Sequence, residues 1–159
     1  MKIYYIMGVA GSGKSTIGKM LADKLNIPFF DADDFHPPSN IEKMKSGQPL
    51  NDDDRRPWLQ NIADTARNQL SVSGAVIACS ALKENYRRLL CEGIESHTEW
   101  VFLNGSKEII EERMSLRKDH FMPPALLTSQ FQTLETPANA ITIDISLSPE
   151  EIIAQIVTE

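Results

Sequence analysis

The chain has 159 residues, 42% of them apolar, and a mass of 17.8 kDa, a size that suits one domain with its own core and leaves little room for a second. A formal net charge of -6 and a pI near 5.1 argue against coating nucleic acid or an anionic membrane, because the summed field repels both. Two cysteines, Cys79 and Cys91, without a CxxC or paired histidines, exclude a disulfide framework or zinc ribbon, and no run approaches the roughly 20 apolar residues of a membrane span. A cytoplasmic protein with reduced thiols is expected.

In chain order, Lys2 to Met7 is rich in β-branched and aromatic residues and stops at glycine, the pattern of a short buried strand. A helix follows, with Ile17, Leu21 and Leu25 as its apolar seam. "IPFFDAD" reads as a second strand ending in carboxylates. Beyond Pro37 and Pro38 a short helix runs through Lys45, and the loop "SGQPLNDDD" leads to a helix capped by Asp54, with Trp58, Leu59, Ile62, Ala66 and Leu70 at helical spacing. "GAVIACSA" is a third strand, Lys83 to about Glu92 a helix, "EWVFLN" a fourth strand, and Ser106 to about Arg117 another helix. After the polar segment "KDHFMPP" come a further short helix, the strand "AITIDI", and a closing helix from Ser148 whose Ile152, Ile153, Ile156 and Val157 face inward. Five apolar strands alternating with helices imply a parallel α/β sheet covered on both faces, with ligands at the strands' carboxyl ends.

The residues after the first strand, "GVAGSGKS" (Gly8, Val9, Ala10, Gly11, Ser12, Gly13, Lys14, Ser15), fit GxxxxGKS in the strand-to-helix context that this loop requires. Glycines let successive N–H groups converge and phosphate oxygens approach without a Cβ clash, and the helix dipole adds positive potential around Ser15 and Thr16. Lys14 reaches the β- and γ-phosphates, and the Ser15 hydroxyl ligates Mg²⁺. A nucleoside triphosphate is therefore the expected ligand. The GTPase signatures DxxG and NKxD do not occur, nor does an apolar strand ending in Asp-Glu as in motor ATPases. In "FFDADDFHP", Asp31 and Asp33 alternate and on an extended strand would point the same way. Two carboxylates beside a triphosphate suit holding Mg²⁺ and taking a proton from an attacking hydroxyl.

The motifs "GxxGSGKST", "DADDFHP", "SGQPLNDDDRRPWL", "ACSALKENYRRLL", "RKDHFMP" and "SQFQTLE", in this order, resemble gluconokinase of the small P-loop kinase type over most of the chain. The first motif is shared with shikimate and nucleotide kinases; "PLNDDDRRPWL" and "CSALK" are far more restrictive. The resemblance implies a three-layer nucleoside- and shikimate-kinase-like sandwich spanning residues 1–159, with a lid near 117–130, and ATP-dependent phosphorylation of D-gluconate to 6-phosphogluconate. It implies Asp33 as general base, Asp31 in the Mg²⁺ shell with Ser15, and Arg113 and Arg117 closing over the phosphates. Arg55, Lys83 and Arg87 supply cations for the gluconate carboxylate, and an Arg fork pairs bidentately with such a group. His36 either bonds a sugar hydroxyl or caps the following helix. His120 and Gln130 lie in matching motif positions without a legible chemistry, and Cys79, Cys91 and His97 read as structural. The strand approach "ETPANAITIDIS" is abbreviated, so base preference rests on the resemblance alone. A kinase of another hydroxy acid such as shikimate, and a non-catalytic nucleotide-binding regulator, are the alternatives. Oligomeric state, a homodimer included, is left open.

Overall fold

The computed structural model describes residues 1–116 and 124–158. Strands β1 (Ile3–Met7), β2 (Phe29–Asp31), β3 (Ala75–Ala78), β4 (Thr98–Asn104) and β5 (Ile141–Asp144) pair in the order β2-β3-β1-β4-β5, every neighbouring pair parallel. Between them lie α1 (Lys14–Leu25), α2 (Pro38–Lys45), α3 (Asp52–Leu70), α4 (Glu84–Leu90), α5 (Lys107–Ser115), α6 (Pro124–Thr133) and, last, α7 (Pro149–Val157).

The central strands explain the layering. Side chains alternate along β1, so Ile3, Tyr5 and Met7 join one buried cluster with α3 and α4, while Ile6 joins the other with α1, α5 and α7. Both faces are covered, which is why β1 and β3 read as continuous apolar runs with no polar alternation. The Tyr5 hydroxyl donates to the Leu90 carbonyl at 2.8 Å, so its burial leaves no unpaired group. Trp100 stacks on the Tyr5 ring at 4.5 Å between centroids. Cys79 is buried beneath the sheet's carboxyl edge, and desolvation pushes its thiol pKa up to about 12, which keeps it protonated and inert.

Several local expectations change. β2 ends at Asp31, and Ala32–Phe35 is a 3-10 turn capped by Asp31, whose Oδ1 accepts from the Asp33 N–H at 3.0 Å. The two carboxylates therefore owe their proximity to a turn and not to strand alternation. Helix α3 begins at Asp52 with Asn51 as its N-cap, and Asp54 is the third-position partner of a reciprocal capping box. A run of three aspartates at the helix's positive end favours that earlier start. Ser148 and Glu151 form the same device on α7, but Val157 is exposed because it falls in the last turn, beyond the sheet's cover. Arg117, His120 and the first part of the expected lid lie outside the described residues.

Candidate active site

The loop Gly8–Gly13 leaves β1 at its carboxyl end and turns directly into α1. Gly13 sits at φ +98° with open space around its would-be Cβ, so backbone conformation and not crowding requires glycine there. At Gly8, φ +150°, both requirements act: the backbone is strained for a side chain, and a Cβ would meet Ser12 Oγ at 2.8 Å and the Leu103 carbonyl at 3.0 Å. The Lys14 ammonium folds back to donate to the Val9 carbonyl at 3.0 Å, spanning the loop. Asn51, Ser106 and Ser148 cap α3, α5 and α7 with their side chains, whereas α1 has neither a side-chain cap nor an acid in its first turn. Ser12 Oγ is buried with no hydrogen-bond partner among the described residues. Uncapped amides, an orphaned hydroxyl and a lysine around a glycine-lined hollow fit a triphosphate tail.

The carboxyl end of β2 adjoins this cradle. Ser15 Oγ donates to Asp31 Oδ2 at 3.2 Å, bringing the two residues expected to share a cation into contact. Asp33 is exposed on its 3-10 turn, yet partial desolvation by its surroundings, reinforced by the Asp31 charge, raises its pKa above the usual carboxylate value, against the pull of His36 and Lys14. His36 stacks on Trp58 with ring centroids 4.3 Å apart and planes 11° from parallel. The Asn40 amide nitrogen donates to the Asp54 carbonyl at 2.9 Å and lies 3.3 Å from His36 Nδ1. Nδ1 thus accepts, and in the neutral ring the proton sits on Nε2. Burial lowers the His36 pKa, with Arg55 acting in the same direction against Asp33. Trp58 itself is core, its indole N–H donating to the Ala32 carbonyl at 2.7 Å and so fixing the 3-10 turn that carries Asp33.

A third group comes from the starts of α3 and α4. The Tyr86 hydroxyl donates to Asp52 Oδ1 at 2.6 Å and accepts from Arg55 Nη1 at 3.2 Å. Lys83 Nζ lies 3.7 Å from the same Asp52 oxygen and 5.5 Å from the Tyr86 ring centre, while the Arg55 guanidinium is 5.8 Å from it. The Tyr86 hydrogen bond is the main cause of a lowered Asp52 pKa, with Lys83 and Arg55 adding to it. Two cations therefore converge on one aromatic ring, held by a single exposed carboxylate that a substrate carboxylate could replace.

Arg87 does not join them. It is 4% exposed, and its nitrogens donate to the Ala81 carbonyl at 2.6 Å, the Glu135 carbonyl at 2.8 Å and Glu84 Oε2 at 3.0 Å. It braces the turn after β3, in which Ala81 adopts φ +45°, a strained value for a residue with a Cβ. Its place on the buried side of α4 was invisible while α4's orientation was unknown. Arg113 of α5 donates to the Ile145 carbonyl just after β5. Arg56 and Arg88, the chain neighbours of Arg55 and Arg87, are exposed. Sequence reasoning missed Tyr86 and Asp52 as organisers of the cationic pair; their only signal was an acid inside "PLNDDDRRPWL" and an aromatic just beyond "CSALK". It also left Gln130 unexplained, and the structure places its Oε1 2.7 Å from the Ala10 N–H of the cradle.

A parallel sheet of order 2-3-1-4-5 with this loop after its central strand defines a P-loop kinase acting on a small molecule. The family model described as shikimate kinase matches residues 10–159. The thermoresistant gluconokinase of Escherichia coli K12 is 44% identical over 157 residues, covering 96% of this chain and 89% of that relative. A gluconokinase of Arabidopsis thaliana is 43% identical, covering 96% and 88%. A crystal structure of a gluconokinase from Sinorhizobium meliloti 1021 superposes with a TM-score of 0.87 at 41% identity, covering 99% of this chain and 90% of that one. Shikimate kinase from Aquifex aeolicus shares the fold at 21% identity and TM-score 0.63. The chain belongs to the gluconokinase family and carries the shikimate-kinase domain, an ATP-dependent kinase of small-molecule hydroxyl groups. No helix among the described residues is long and apolar enough to cross a membrane.

Proposed function

We propose that this protein transfers the γ-phosphoryl group of ATP to the terminal hydroxyl of D-gluconate, giving 6-phospho-D-gluconate. The observation that carries the reading is the junction of cradle and acids: Ser15 Oγ, in the helix that leaves the cradle, donates to Asp31 Oδ2 at 3.2 Å, and Asp31 Oδ1 accepts from the Asp33 N–H at 3.0 Å, which sets Asp33 on the turn beside the phosphate loop. Full-length relatives bearing the gluconokinase name support the choice of sugar acid.

In this reading Lys14 and the loop amides hold the transferring phosphates, and ATP supplies the phosphoryl group. Ser15 Oγ and Asp31, already in contact, would hold Mg²⁺, whose remaining positions suit phosphate oxygens and water. Among the described residues there is no cluster of three His, Cys, Asp or Glu that forms a cation cage without such help, consistent with magnesium's habit of sharing its shell with phosphates. Arg55 and Lys83 anchor the gluconate carboxylate, displacing Asp52 from its cations. His36, its Nε2–H directed away from Asn40, bonds a sugar hydroxyl. Asp33 accepts the proton of the attacking hydroxyl, and partial desolvation together with the Asp31 charge raises its basicity toward that task. Arg113, now on the Ile145 carbonyl, would turn toward the phosphates.

A panel of sugar acids and shikimate, assayed by coupled ADP release, tests the proposal. Gluconate should exceed every other acceptor in kcat/KM; preference for shikimate, or ATP binding with no acceptor-stimulated ADP release, would refute it.

A further inference from the structure

Helix α6 touches both halves of the site, and the motif it carries, "SQFQTLE", has no role in the chemistry above. Its core anchor is Leu127, buried among the residues that support the cradle. One turn on, Gln130 Oε1 accepts from the Ala10 N–H at 2.7 Å, pinning the outer curve of the cradle. Just past the helix, Glu135 docks on the opposite partner. Its N–H donates to the Leu82 carbonyl at 2.8 Å, its Oε1 accepts from the Glu84 N–H at 2.6 Å, and its carbonyl accepts from Arg87 at 2.8 Å. Leu82 and Glu84 flank Lys83, so both chain neighbours of that cation are tied to Glu135. Without these bonds the turn would have to hold the strained Ala81 through Arg87 alone.

We propose that α6 is a strut in which Gln130 and Glu135 are positioning residues, holding the phosphate cradle and the turn bearing Lys83 in one fixed relation so that nucleotide in the cradle orders the gluconate side. The proposal rests on the function assigned above for its kinetic consequence but not for its structural one. A rigid element bonded to two loops transmits restriction of one to the other, and the resulting coupling is reciprocal. Glu135→Ala removes the acceptor for Glu84 N–H while leaving the main-chain bonds. Glu135→Gln keeps an Oε1 that accepts the same bond. Gln130→Met keeps the bulk of the side chain and loses the acceptor for Ala10.

Two measurements decide it. In hydrogen exchange of the whole protein, a non-hydrolysable ATP analogue should slow exchange across 82–86 in the wild type and in Glu135→Gln. That protection should fall by about tenfold, the equilibrium worth of one hydrogen bond, in Glu135→Ala and Gln130→Met. In steady-state kinetics, Glu135→Ala should raise the KM for gluconate at saturating ATP by about tenfold and, by reciprocity, the KM for ATP at saturating gluconate by a similar factor, with nucleotide affinity in the absence of gluconate unchanged, and Glu135→Gln should restore both. Equal protection in all four proteins, or a Glu135→Gln variant as impaired as Glu135→Ala, would overturn the strut. A wild type inactive on gluconate but showing the exchange pattern would sink the assigned substrate and leave the strut standing.

Discussion

The hydroxyl of Tyr86 lies 2.6 Å from Asp52 Oδ1 and 3.2 Å from Arg55 Nη1, so one phenol links the first turn of α3 to the first turn of α4. Tyr86→Phe deletes both bonds and leaves the ring on which Arg55 and Lys83 converge. Freed from that clamp, the two cations lose their fixed spacing. The KM for gluconate should rise by about tenfold while that for ATP stays put, a split that steady-state kinetics resolves.

Asp33 carries the proton-transfer step and touches no part of the cradle loop by hydrogen bond. Asp33→Ala should lower kcat by about 10²–10⁴-fold, with nucleotide affinity retained. Single-turnover phosphorylation and equilibrium binding of an ATP analogue measure the two quantities separately. An Ala variant with wild-type turnover would remove Asp33 from its assigned role.

The raised pKa of Asp33 has kinetic and thermodynamic consequences of definite sign. As a base it acts only when ionised, so kcat/KM should fall on the acid side through a pKa above the ordinary carboxylate value. Asp31→Asn, by removing one of the causes of the rise, should move that limb to lower pH. The native state binds the Asp33 proton more tightly than the unfolded chain. Its contribution to stability is therefore present in full below the unfolded pKa of about 3.9 and is lost as pH rises through the native value. Asp33→Asn carries no such loss, so it should melt at a higher temperature than wild type at pH 7, with the gain vanishing toward pH 3. Calorimetry at the two pH values reads the difference.

Gly74 leads into β3 at φ +80°, and a Cβ there would lie 2.4 Å from the Lys2 carbonyl, which accepts from Ala75 N–H at 3.2 Å. Gly74→Ala must both strain the backbone and push apart the β1–β3 edge. A loss of about 2–4 kcal/mol in unfolding free energy is expected by denaturant titration, with KM values for the surviving folded enzyme near normal.

Much of this was legible in the letters. A GxxxxGKS loop works between a strand and a helix, and the apolar runs "IYYIM" and "AVIA" read as buried strands of a sheet covered on both faces. Local chemistry also specified the start of the closing helix at Ser148 and the core face of α3. The order of strands, and with it the meeting of β2's carboxylates with β1's loop, follows less directly, since it depends on right-handed crossovers acting over the whole chain.

What the sequence by itself determined was the set of groups: a phosphate cradle, paired acids, and cations within two restrictive motifs, each fixed by short-range covalent spacing. What only the tertiary structure decided was their partners. Arg87 and Arg55 are the same residue type in neighbouring motifs, yet helix orientation buries one as a brace for Ala81 and leaves the other beside Tyr86 and Lys83. Asp31 and Asp33 come together through a 3-10 turn held by Trp58, a contact between residues far apart in the chain. Gln130 reaches Ala10 across 120 positions, and no periodicity or spacing encodes so distant a bond, because it forms only once two core clusters have packed around the sheet.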